Sequence, residues 1–311
     1  MKFVAIAIAT LGLMGSAQAA DLLVKKSPPA PVAASTTCLE KNSLSNDTFG
    51  FTTGSDVNDV GALSLSGTYG LNLGTRAGNS NGHFGNIQAT YSPYLCVEVD
   101  PYVFAGVTNS KSFGFSSHGS QYGAGVEAKY KILGRDTHGF GLTFDFIAQG
   151  AGTSGAYYTS LGGRSDNTWD TIFSVFADKE LISGKLYGAL NAGVDLNFTD
   201  LGGPRSGYDN TQTYRVGGAL SYQVMDGLFL GVEGTHYRKY GSVLGFGNER
   251  GYANFLGPNF YWAFAKGWAF SGSFQAQVQG HSPRLYSGAG SDLDVTNFPH
   301  FQAKLKLNHD F

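Results

Sequence analysis

The last eleven residues, FQAKLKLNHDF, sort into two classes by parity. Phe301, Ala303, Leu305, Leu307 and Phe311 alternate with Gln302, Lys304, Lys306, Asn308 and Asp310, and His309 is the one break. Neighbouring side chains of a strand point to opposite faces, so this segment has one apolar and one charged face. The pattern recurs upstream. Trp268, Phe270, Phe274, Ala276 and Val278 alternate with Ser271, Ser273, Gln275, Gln277 and Gln279. Tyr122, Ala124, Val126, Ala128, Tyr130 and Ile132 oppose Gln121, Glu127, Lys129 and Lys131, and Phe140, Leu142, Phe144 and Phe146 oppose Thr143 and Asp145. A helical period would mix the two classes on every face.

The segments run longer than ordinary soluble strands and match the ~9–11 residues a tilted strand needs to cross a bilayer. We place them near 60–73, 84–94, 97–109, 121–133, 138–149, 168–180, 185–198, 211–225, 227–240, 251–265, 267–280 and 299–311. Connections at 134–137, 182–184, 225–227 and 266–267 are short, whereas 150–167, 199–210 and 281–297 are long and polar. Short turns at one end and long loops at the other are the outer-membrane pattern. The expected fold is all-β: an antiparallel transmembrane β-barrel of about twelve strands, with both termini on the short-turn, periplasmic side.

Composition fits two averaged faces. Charged residues are 14% and mean hydropathy is −0.12, against roughly 25% charge in an average soluble domain. That combination argues against an ordinary soluble enzyme and a helical membrane protein alike. Aromatics at 14% and 45 Gly in 311 residues suit girdles and a curved sheet.

Residues 1–19 carry a signal-peptide pattern: Lys2, an apolar run from Val4 to Met14, and Ala17-Gln18-Ala19. Residues 20–58 are expected to be a periplasmic N-terminal linker, Pro-rich through Pro28, Pro29 and Pro31, with the barrel at 59–311. Without Lys2 the charge is 20 − 23 = −3, so no nucleic-acid partner is indicated. Cys38 and Cys96 suggest one disulfide in an exported chain, with two free thiols as the alternative. The strand order puts both cysteines on the short-turn side, so the bridge would fasten the linker to the barrel rim.

The segment ADLLVKKSPPAPV resembles the AAD-[LM]-x-VK-x-PP opening of alphaproteobacterial, rhizobial-type outer-membrane barrel proteins. Leu305, Leu307 and terminal Phe311 resemble the C-terminal signal read by the barrel-assembly machinery. The resemblance covers some twenty residues at one end and about ten at the other. It implies a bacterial outer-membrane location among lipid and lipopolysaccharide, and a porin-like or structural role.

No motif for a cofactor, a metal or catalysis stands out. Gly150-Ala-Gly152-Thr-Ser-Gly155 matches G-x-G-x-x-G, but no helical period follows it. His118 with Ser116 or Ser120, and His281 with Ser282, are the local Ser–His candidates for a surface lipid hydrolase, both expected in loops. We expect no enzyme. Lumen-lining candidates are Glu127, Lys129, Lys131, Asp145, Asp195, Arg215, Glu233, Lys239, Lys304 and Lys306. Loop residues Tyr157, Tyr158, Arg164, Arg205, Tyr208, Arg284 and Tyr286 could stack on solutes at the mouth. Twelve strands lie between small filled barrels and open porins. A narrow passive diffusion channel for small hydrophilic solutes is the leading expectation, and a structural or adhesive protein with a plugged barrel is the alternative.

Overall fold

The computed structural model describes residue 38, residue 40 and residues 44–75, 80–112, 115–155, 167–201, 207–283 and 292–311. The expected signal peptide, the Pro-rich stretch and loop residues Tyr157, Tyr158, Arg164, Arg205, Arg284 and Tyr286 lie outside these.

Twelve antiparallel strands close into a barrel. They are β1 (Leu63–Thr75), β2 (Ser80–Tyr94), β3 (Val97–Ser112), β4 (Phe115–Leu133), β5 (Gly141–Gly155) and β6 (Asn167–Ile182). The ring continues with β7 (Leu186–Leu201), β8 (Gly207–Met225), β9 (Leu228–Tyr240), β10 (Glu249–Ala265), β11 (Trp268–His281) and β12 (Phe301–Asp310). Each strand pairs with its sequence neighbours, and β1 pairs with β12 from Ser64↔Asp310 to Leu73↔Phe301. Closure leaves no unpaired edge, the condition for a sheet in hydrocarbon.

Parity decides which way each side chain faces. Leu65, Ile87, Val103, Val126, Leu190, Leu220, Val232, Leu256 and Leu305 are exposed on the outer wall. Gln88, Asp100, Lys129, Asp145, Asn191, Ser221, Glu233 and Gln302 are buried on the inner wall. At the short-turn end His309 stacks on Trp268 at 4.2 Å and meets Phe311 at 4.6 Å, part of an aromatic rim.

Most strand boundaries shift from the sequence reading, and two of the shifts have a clear cause. The polar run before residue 121 reads as loop, but β3 and β4 stay paired to Ser112↔Phe115, since polar side chains do not interrupt backbone pairing. Phe140, placed on a strand by parity, lies in the turn after a one-turn helix, α1 (Arg135–His138).

The largest correction concerns the N-terminal segment. Residues 44–58, assigned to a periplasmic linker, bond to inward-facing side chains around the ring and so lie inside the barrel. They lead through Gly61, whose N–H bonds Ser92 O at 2.8 Å, into β1.

Candidate functional site

The ten lumen candidates all fall on the inner face by parity, but several do not meet open water. Lys129, Lys131, Asp145 and Glu233 are buried, and three of the ten are bonded to the N-terminal plug.

The plug is pinned first by charge. Asp56 accepts from Lys131 Nζ at 2.5 Å, from Arg135 Nη2 at 2.5 Å and from Leu44 N–H at 2.6 Å. Lys131 also bonds Glu40 at 2.6 Å. Asp178 of β6 accepts from Arg135 Nη1 at 2.6 Å and from Ser55 N–H at 2.5 Å. Burial works against the charge of Arg135, but Asp56 and Asp178 outweigh it and hold the guanidinium above its ordinary value. Lys306 of β12 pairs with Asp47 at 3.0 Å. Such buried pairs persist because each charge has several hydrogen-bonding partners.

Backbone groups of the plug are met as well. Glu233 accepts Phe51 N–H at 2.9 Å and Thr52 N–H at 2.8 Å, one on each carboxylate oxygen. Ser221 Oγ donates to Thr48 O at 2.9 Å, Asn58 N–H donates to Glu98 at 2.9 Å, and Thr143 Oγ1 donates to Ser55 O. Gly50 between these contacts has φ +79°, and a Cβ there would lie 2.5 Å from Glu233 Oε1, so glycine is required. One apolar anchor completes the set: Phe49, fully buried, packs with Leu44 against Tyr187, Ala189, Ala219, Phe229 and Tyr261. Cys38 is disulfide-bonded to Cys96 in the β2–β3 turn, with Cα atoms 5.7 Å apart. A cavity of about 370 Å³ runs beside the plug at the short-turn end, lined in part by Asp47, Asn58, Glu98, Lys129 and Lys306.

Inner-wall charges segregate around the ring. Glu98, Asp100, Glu127, Asp145, Asp170, Asp178 and Asp195 come from β3 to β7, while Arg215, Lys239, Lys304 and Lys306 come from β8, β9 and β12. Asp209 of β8 and Asp310 of β12 depart from this pattern near the rims, and the deeper exceptions are neutralised locally. Lys129 bridges Glu98 at 2.7 Å and Asp100 at 2.9 Å, Lys131 is taken by Asp56, and Glu233 by plug amides. A belt Tyr102–Gln149–Asp170–Asn197 links β3 to β7: Tyr102 donates to Gln149 at 2.7 Å, and Gln149 to Asp170 at 2.8 Å.

At the long-loop end, residues 292–300 fold against the wall. Phe298 packs on Tyr237 and Phe255, and Gln277 donates to Asp294 O at 3.1 Å. The Ser–His candidates are placed as follows among the described residues. His118 lies in β4 rather than a loop and bonds Asn109 at 2.9 Å, while Ser120 bonds Ser154 at 2.6 Å. His281 ends β11, and Ser282 donates to Arg250 O at 3.2 Å.

Glu40, Asp47, Asp56, Glu98, Asp100, Arg135 and Asp178 were missed as site residues in the sequence. The available signal was parity for Glu98, Asp100 and Asp178, which fall on the polar side of their strands.

The chain belongs to DUF6662, a family of unknown function, whose model matches residues 42–311. No curated protein matches it. Among solved structures it is similar to an outer membrane channel from Pseudomonas putida F1, at 11% identity and TM-score 0.54, covering 83% of this chain and 98% of that one. It is also similar to the β domain of the Bordetella autotransporter BrkA, at 12% identity and TM-score 0.54, covering 81% and 100%. The translocator domain of autotransporter NalP from Neisseria meningitidis matches at 13% identity and TM-score 0.51, covering 83% and 91%. At these identities the likeness is one of fold: a closed twelve-strand barrel of the outer-membrane type.

Proposed function

We propose that this member of the family is a bacterial outer-membrane channel for small hydrophilic solutes, held closed by its own N-terminal segment. The carrying observation is that the plug is pinned mainly by hydrogen bonds and ion pairs, beneath a wall whose acids and bases sit on opposite arcs. Water can replace contacts of that kind, so the segment can leave without baring much apolar surface. Segregated charges in a bore set ion and solute preference. A barrel serving only as a shell has no need of that arrangement.

On this reading the short turns and the disulfide face the periplasm, and the long loops meet lipopolysaccharide. The mature start supports an alphaproteobacterial origin. Outward Leu305 and Leu307 with terminal Phe311 support recognition by the barrel-assembly machinery. The reading includes no catalytic step.

Full burial of Phe49 favours a second reading, a permanently plugged structural or adhesive barrel. Planar-bilayer recordings separate the two. The mature chain is expected to give small, infrequent openings, and a variant lacking residues 44–58 larger discrete steps. Silence from both, with the barrel folded, would sink the channel and leave the structural reading.

A further inference from the structure

Beyond the plug, toward the long loops, the inner wall of β2 and β3 carries three aromatic rings. Phe84, Phe104 and Tyr102 share the inward parity of buried Gln88 and Asp100. Each ring lies over an inward glycine of a neighbouring strand. A Cβ built on Gly70 would come 1.8 Å from Phe84 Cζ, one on Gly123 2.5 Å from Phe104 Cζ, and one on Gly125 2.6 Å from Tyr102 Cζ. The missing side chains let the rings settle close to the sheet, a pairing known to hold aromatics in place. Tyr102 is further fixed by its bond to Gln149 at 2.7 Å, and its ring stands 6.0 Å from that of Phe104. Phe84 remains 38% exposed although it faces inward.

The rest of this level is polar. Half the ring away stand Arg215 of β8 and, on adjacent β7, Asp195, whose Oδ1 has no hydrogen-bond partner among the described residues. Beside the strip, Asn86 Oδ1 is likewise unpartnered among them. Below lies the plug, where Phe51 receives Lys304 Nζ at 5.5 Å from its ring. In every strand that carries both, these groups sit farther from the short turns than the plug contacts: Phe104 beyond Glu98, Arg215 beyond Ser221.

The geometry points to a binding site for a short, neutral, linear oligosaccharide on the Phe84–Phe104–Tyr102 strip. A pyranose has C–H faces that stack on an aromatic ring and a rim of hydroxyls that both donate and accept. The wall offers that combination: rings seated close over glycines on one side, and acceptors and donors at the same level on the other. The acids on this side of the bore, Asp170 on the Tyr102–Gln149 belt among them, disfavour an anionic ligand, and rings following one another along the bore favour a chain of sugars over a single one. The site rests on the reading of the barrel as a channel, for which it supplies the substrate class.

The test is equilibrium binding by calorimetry, on the mature full chain in detergent, of maltohexaose, cellohexaose and xylohexaose, with a polyethylene glycol of similar size as control. Binding of at least one hexasaccharide, weakened at least tenfold by both Phe84→Leu and Phe104→Leu and kept by Phe84→Tyr, is the expected result. Unboiled gel mobility checks that each variant barrel is folded. Overturning results are no binding by any of the three sugars, equal binding of polyethylene glycol, or affinity unchanged in both leucine variants. Conductance by the plug-deleted barrel without sugar binding removes the site and keeps the channel. Sugar binding with a silent plug-deleted barrel keeps the site and removes the channel.

Discussion

Asp56 and Arg135 meet at 2.5 Å although 79 positions separate them, the first in a segment that precedes the barrel and the second in its β4–β5 turn. The same carboxylate holds Lys131, so one acidic side chain locks the plug to two basic ones. Replacing Asp56 with Ala leaves both cations buried and short of a partner. Removing one member of such a pair typically costs about 3–5 kcal/mol. D56A is expected to loosen the plug while the barrel stays folded. Limited proteolysis should cut within residues 44–62 at least tenfold faster, and bilayer openings should become larger and more frequent.

Asp47 gives the closure a pH dependence. Burial alone would raise its carboxyl, but Lys306 and Lys304 outweigh burial and hold it below the ordinary 3.8. A lowered carboxylate stabilises the docked plug above the unfolded value, and that contribution is lost as pH falls through the lower, docked one. Openings should therefore not change with pH near neutrality, where the Asp47 contribution is complete, and increase only below about pH 3.8. D47N should show the acid level of opening at neutral pH; single-channel recording against pH checks both.

The Cys38–Cys96 bridge acts on the root of the plug. With β1 and β2 paired, it closes the chain from Cys38 to the start of β1 at Leu63 into a loop, and cross-links of that span restrict a released segment by roughly 3–4 kcal/mol on an entropic account. The double replacement C38S/C96S should leave the barrel's unboiled gel mobility unchanged. Hydrogen exchange at Leu44, Phe51 and Thr52 should rise by more than tenfold.

Gly70→Ala should act on the bore alone. The added methyl strikes the far end of the Phe84 ring, which can swing inward at an overpacking cost of about 1–3 kcal/mol. The plug-deleted barrel carrying G70A is expected to fold and to conduct less than its Gly70 parent.

The barrel was legible because its signal is local. Residues such as Leu305 and Lys306 declare opposite faces within two positions, and the same period repeats through several of the twelve segments. Glu98 and Asp178 were legible to the level of face, since parity turns them inward. The plug was not legible. SNDTFGFTTGSDVND has turn-forming composition and no period, so alone it reads as linker. What orders it lies far along the chain: Glu233 meets Thr52 across 181 positions and Lys306 meets Asp47 across 259. The aromatic strip was hidden for another reason. Phe84 and Phe104 look like lipid-facing residues until the register assigns their side.

The partners of the plug are spread over the ring, from Glu98 on β3 through Lys131 on β4, Asp178 on β6, Ser221 on β8 and Glu233 on β9 to Lys306 on β12. A barrel still missing its last strand lacks the Lys306 contact, and one halted at β5 lacks Asp178, Ser221 and Glu233 as well. The segment that precedes the barrel is thus gripped in full only after β12 has paired with β1. Its docking distinguishes a finished ring from an open one.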